Sequence, residues 1–189
     1  MIYPIVAYGD PVLKKKAEVI PNDFPSFKEL VADMFETMYA ASGVGLAAPQ
    51  IGKSLRLFIV DASGFADEGS PDYEVLKSFK KVFVNPQIVE ETGVEWAFNE
   101  GCLSIPEIRE DVFRNPVVKM QYQDENFETH IEVFEGIPAR IIQHEYDHIE
   151  GVLFTDRLSA LRKRLLKGRL LNISKGKVQV DYKMKFPIR

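Results

Sequence analysis

The sequence predicts a mixed helix-and-strand domain with a reactive centre on one helix. Three observations lead there. An amphipathic stripe follows Ser26, a strand–turn–strand pattern spans residues 117–133, and His144-Glu145-Tyr146-Asp147-His148 sits on a helical run just after it. The chain has 189 residues, enough for one domain with a sizeable core, and we read 1–189 as a single unit. Hydrophobic residues make up 46% and charged residues 28%, an ordinary globular profile. No apolar run approaches the roughly 18 residues of a membrane span. The N-terminus lacks the basic start of a signal peptide. One cysteine, Cys102, excludes an internal disulfide, so a cytoplasmic location is the default expectation.

In chain order, residues 1–22 read as extended and loop-like, with a turn at Asp10-Pro11. A helix follows. Ser26 and Glu29 suggest a capping box, and Phe27, Leu30, Val31, Met34, Phe35 and Met38 form its apolar stripe. Gly43 is the expected left-handed terminator. Next comes Gly43-Val44-Gly45-Leu46-Ala47-Ala48-Pro49-Gln50-Ile51-Gly52. It lacks the Gly-Lys-Ser/Thr ending of a phosphate loop. Its small residues permit close approach of the backbone to another group, and Gln50 could present an amide there. A plain tight turn is the competing reading. Residues 55–60 read as a strand, 62–81 as an acidic surface excursion, and 82–85, 87–91 and 94–98 as further strands. Glu100-Gly101-Cys102-Leu103-Ser104-Ile105-Pro106 reads as a turn. Residues 117–123 and 127–133 form the expected hairpin around Asp124-Glu125-Asn126. Residues 158–166 predict a short basic amphipathic helix, and 178–182 a last strand.

The chemistry centres on residues 144–148. Side chains four apart share a helix face, with Cβ atoms about 5–6 Å apart, so His144 and His148 can address one ion. Glu145 lies beside them without being a ligand, which suits a carboxylate base for a metal-activated water. A catalytic metal usually takes three protein ligands. No His follows His148. Cys102 is the strongest third candidate, because a thiolate with two imidazoles suits a borderline divalent ion. Cys102 as a small core residue or as a nucleophile stays open at this point. His130 on the metal would complete a structural site, but it stands alone in a predicted strand. An endopeptidase and a non-enzymatic metal module are the rival classes.

Three stretches taken together resemble the peptide deformylase family, whose motifs are G-x-G-x-A-A-x-Q, E-G-C-x-S and H-E-x-D-H. Here they read Gly43 to Gln50, Glu100 to Ser104 and His144 to His148, in that order and with no departure. The resemblance implies an α+β fold. Small antiparallel β-sheets would pack around a central metal-binding helix, with an N-terminal helix and a basic C-terminal helix. It implies hydrolytic removal of the formyl group from the N-terminal formyl-methionine of nascent polypeptides. It implies Fe²⁺ at Cys102, His144 and His148, with Zn²⁺ or Ni²⁺ able to occupy the site. It places the Gln50 amide and the Leu103 N–H at the oxyanion, and the Gly45 main chain on the peptide. By their nearness to the motifs, Val44, Phe98, Ile137 and Ile141 are candidates for the methionine pocket.

Charge is unevenly spread. Residues 157–189 hold eleven Lys/Arg and one acid, Asp181, for a net +10. The remainder holds thirteen basic and twenty-seven acidic residues, for a net −14. Arg162, Lys163, Arg164, Lys167 and Arg169 would form a patch for docking on ribosomal RNA, with Leu158, Leu161 and Leu165 packing that helix onto the body. A solvated helix face is the competing reading.

Overall fold

Strand β3 (Leu57–Asp61) has apolar residues on both faces, and the rest of the fold is layered around it. The computed structural model describes residues 1–187; the last two residues of the basic segment lie outside it. In chain order the elements are β1 (Ile5–Val6), α1 (Phe27–Ala40), β2 (Gly45–Ala47), β3, α2 (Tyr73–Ser78), β4 (Lys80–Thr92), β5 (Trp96–Cys102), β6 (Ile105–Arg114), β7 (Val117–Gln123), β8 (Thr129–Glu135), α3 (Gly136–Ile149), α4 (Ala160–Ser174) and β9 (Met184–Lys185). Strands β2-β3-β4-β7-β8 form an antiparallel sheet, β5 and β6 an antiparallel pair, and β1 and β9 a parallel pair.

Alternate residues of β3 point to opposite faces. Phe58 and Val60 enter a core shared with Ala139, Ile142 and Ile149 of α3. Leu57 and Ile59 enter a second core with Leu30, Met34 and Met38 of α1. Phe58 stacks on Phe83 with ring centroids 4.7 Å apart, and Phe83 contacts Tyr122 at 4.6 Å. Truncating a ring such as Phe83 to alanine should cost about 3–5 kcal/mol. A third core joins Ile105, Ile108 and Val112 of β6 to Phe154, Leu166 and Leu170.

Several details depart from the sequence reading. Ser26 has φ 53° and its side chain caps nothing, so the capping box does not form. The left-handed residue after α1 is Ser42 (φ 55°), not Gly43. Residues 82–91 are one bulged strand, with Asn85 at φ 48° exchanging hydrogen bonds with the backbone of Ile20. Residues 105–114 form a long strand that was not expected. The eighth strand lies two residues further on than expected. The basic helix α4 runs on to Ser174 and packs through Leu166, Leu170 and Ile173, while Leu161 and Leu165 are exposed. Residues 178–182 are not a strand; among the described residues the tail pairs only through β9. The acidic excursion contains α2, pinned by Leu76.

Candidate active site

Helix α3 begins where Gly136 takes φ 60°, and Pro138 falls in its first turn, where a missing N–H costs nothing. One face buries Ala139, Ile142 and Ile149 in the core. The adjacent face carries His144, Glu145 and His148 toward β5 and β2. The β5–β6 hairpin turns at Leu103-Ser104, with Cys102 opposite Ile105 and a register shift between Gly101 and Cys102. That irregular turn brings Cys102 against the helix.

One ligand atom each from Cys102, His144 and His148 lies within 4.8 Å of the others, a group that could hold a metal ion. Cys102 Sγ is 3.3 Å from His148 Nε2. His144 Nδ1 lies 2.9 Å from Glu100 Oε2, which leaves its Nε2 as the nitrogen for coordination. Burial, then the charges of His144 and Arg114, push His148 well below its ordinary value of 6.5, so it is neutral. Burial opposes charge on His144 too, but hydrogen bonding to Cys102 and Glu100 outweighs it and raises that ring.

Glu145 is buried, and its Oε2 has no hydrogen-bond partner among the described residues. Burial pushes its carboxyl up to about 7, against the pull of His144. A carboxylate left unpaired inside a protein needs a compensating cation or proton. The opposite wall is Gly45, where a Cβ would lie 2.4 Å from Glu145 Oε1. Gln50 is buried; its Oε1 accepts from Ala47 N at 2.9 Å. That bond aims Nε2 at Cys102 Sγ and Ser104 Oγ, each 3.4 Å away. The Leu103 N–H meets no acceptor among the described residues, while its carbonyl accepts from Tyr182 Oη at 2.8 Å.

Gly45, Gln50, Cys102, Leu103, His144 and Glu145 line a cleft of about 770 Å³, and His148 is not part of its wall. Val44, Phe98 and Ile141 also line it; Ile137 does not, and packs instead against the α3 core. Phe65 joins the apolar wall, with its ring centroid 6.1 Å from that of Phe98. His130 lies apart, on the β7–β8 hairpin, 2.8 Å from Asp124 Oδ2.

Sequence reasoning missed the ion network under the site. Arg114 donates to both oxygens of Glu100 (2.7 and 2.9 Å) and to Asp147 (2.7 Å). Arg140 reaches Glu100 at 3.2 Å, and Arg157 forks onto Asp147 with two bonds of 2.6 Å. Against the penalty of burial, Arg114 and His144 hold Glu100 well below the usual carboxylate range. Glu100 is therefore an anion that fixes the His144 ring. Its place two residues before Cys102 was the available signal.

The sequence model described as polypeptide deformylase matches residues 2–164. The peptide deformylase of Christiangramia forsetii is 62% identical over 190 residues, covering 99% of this chain and 97% of that protein. The crystal structure of peptide deformylase from Thermus thermophilus superposes with a TM-score of 0.80 at 40% identity, covering 93% of this chain and 99% of that one. A peptide deformylase structure from Legionella pneumophila gives a TM-score of 0.80 at 38% identity, over 94% and 98% of the two chains.

Proposed function

Because the chain belongs to the peptide deformylase family, metal-dependent hydrolases that remove the formyl group from nascent peptides, we propose how its own residues do this. Cys102, His144 and His148 hold the metal, and Glu145 is the base. The observation that carries this reading is the unpartnered, buried Glu145 Oε2 beside three converging ligand atoms. The donor set of one thiolate and two imidazoles fits a borderline divalent ion. We take it to be Fe²⁺, with Zn²⁺ or Ni²⁺ able to take its place. Such an ion supplies the Lewis acidity that makes water nucleophilic near neutral pH.

Glu145 accepts the proton of the attacking water and passes it to the leaving amine nitrogen. Gln50 Nε2, oriented by its bond to Ala47 N, and the Leu103 N–H donate to the oxygen on which charge develops. The Gly45 main chain holds the peptide. Val44, Phe98 and Ile141, joined by Phe65, receive the methionine side chain. We read residues 1–189 as one catalytic domain, supported by Met184 packing against two of its cores. Cys102→Ala should lose bound metal and formate release together, and His130→Ala should keep both. Full metal and full activity in the Cys102 variant would overturn the ligand assignment.

We place the activity in the cytoplasm, where nascent chains emerge; no helix among the described residues is long and apolar enough to cross a membrane. The basic helix α4 is our docking surface for ribosomal RNA. Arg162 is engaged by Glu110 and Arg169 by the Glu107 carbonyl. Lys163, Arg164 and Lys167 make no ion pair among the described residues, and they form the patch.

A further inference from the structure

The turn that carries Leu103 is gripped from outside its own hairpin. The Leu103 carbonyl accepts from Tyr182 Oη at 2.8 Å, and the Ser104 carbonyl accepts from Tyr8 N at 2.9 Å. Tyr8 follows β1 and Tyr182 precedes β9, so one small parallel sheet supplies both grips. That sheet is closed by Ile5 N to Lys183 O (2.8 Å) and Ala7 N to Lys185 O (2.9 Å). The tail is anchored again where Gln179 N donates to Glu107 Oε1 at 3.3 Å.

The hairpin alone does not fix this turn. Its register slips between Gly101 and Cys102, and such a bulge leaves the ladder locally unpaired. The Leu103 N–H, free of any partner among the described residues, is aimed by whatever holds the rest of that residue. We propose that Tyr182 is a positioning residue for deformylation: its phenol fixes the Leu103 carbonyl, and so directs the Leu103 N–H at the oxygen under attack. This rests on the reading of Leu103 as an oxyanion donor. It gives the C-terminal tail a part in the chemistry. A phenol that merely packed against the turn would leave the Leu103 N–H where it is, so kcat and the response of that amide separate the two roles.

The test uses full-length, zinc-loaded protein as wild type, Tyr182→Phe and Lys183→Ala. Tyr182→Phe keeps the ring and its packing and removes one donor; Lys183 offers only its backbone to β1 and its side chain is exposed. Removing an oxyanion donor typically costs about 10²–10³ in kcat; misaiming one should cost roughly five- to fiftyfold. Tyr182→Phe should show that fall with KM and zinc content unchanged, and Lys183→Ala should match wild type. The second readout is the Leu103 amide in a ¹⁵N–¹H spectrum titrated with formate, the product. It should shift in wild type and shift less in Tyr182→Phe. If wild type shows no formate shift at Leu103, the oxyanion reading itself fails and the proposal falls with it. If wild type shifts and Tyr182→Phe matches it in shift or in kcat, Tyr182 has only a structural part and the proposal alone is overturned. A rise in KM or a loss of zinc in Tyr182→Phe overturns it equally.

Discussion

Replacing Gly45 with alanine adds one carbon at the most crowded point of the cleft. An ideal Cβ there lies 2.4 Å from Glu145 Oε1 and 2.8 Å from its Cδ and Cγ. Comfortable contact begins near 3.5 Å, so the carboxylate has to retreat by about 1 Å. Gly45 has no left-handed φ to protect, and β2 keeps its pairing with β3, so the backbone tolerates alanine. Cys102, His144 and His148 are not in the collision. A misplacement of about 1 Å in a catalytic group costs on the order of 10²-fold. Gly45→Ala should therefore lower kcat about 10²-fold with metal content intact and KM raised at most a few-fold. Formate release from a formyl-Met dipeptide, measured beside metal analysis, gives both numbers. A variant with kcat within about threefold of wild type and a raised KM would refute the reasoning. Gly45 would then serve peptide binding alone, and the placing of Glu145 against it would not matter.

Gln50→Ala should lower kcat about 10²–10³-fold and change KM less; the reverse pattern would make Gln50 a ground-state contact. Glu100→Gln leaves Arg114 and Arg140 without their shared anion and loosens the His144 ring. We expect about 3–5 kcal/mol lost in denaturant unfolding and about 10–100-fold weaker metal binding by competition with a chelator. Because Glu100 is depressed in the folded state, its contribution is present above the ordinary carboxylate value of 4.5 and lost as pH falls below it. The stability of Glu100→Gln should thus fall less steeply in acid than that of wild type, and parallel curves would contradict this. Reversing the charges of Lys163, Arg164 and Lys167 should leave turnover of a short formyl peptide unchanged and weaken ribosome co-sedimentation. Wild-type binding should drop steeply with salt, and salt-insensitive binding would count against an RNA contact.

The site was legible where chemistry follows local spacing. His144 and His148 share a face because a helix repeats every 3.6 residues, and Glu145 must then lie beside them. Cys102 was legible because it is the only thiol. Strand β6 was not, although its inward positions alternate, because Glu110 and Arg114 occupy that face beside Ile108 and Val112. Those charges are tolerated only because Arg162, Glu100 and Asp147, distant in sequence, pair with them. The same non-local pairing hid the network under His144. The tail was misread for a related reason: residues 178–182 have strand-like composition, but 179–182 lie along the cleft, and among the described residues only Met184-Lys185 find an edge, on β1. Helix α1 was legible through its stripe, yet its ends were not, because Ser26 and Ser42 take left-handed backbone without the expected signals.

The account turns on Glu145 as base beside a metal held by Cys102, His144 and His148. Formate release from a formyl-Met dipeptide by metal-loaded Glu145→Gln, set against wild type with the metal content of each measured, addresses it most directly. We predict equal metal and a loss of turnover at or beyond the upper end of the roughly 10²–10⁴-fold range for a general base. Equal metal with more than about a tenth of wild-type turnover would contradict it.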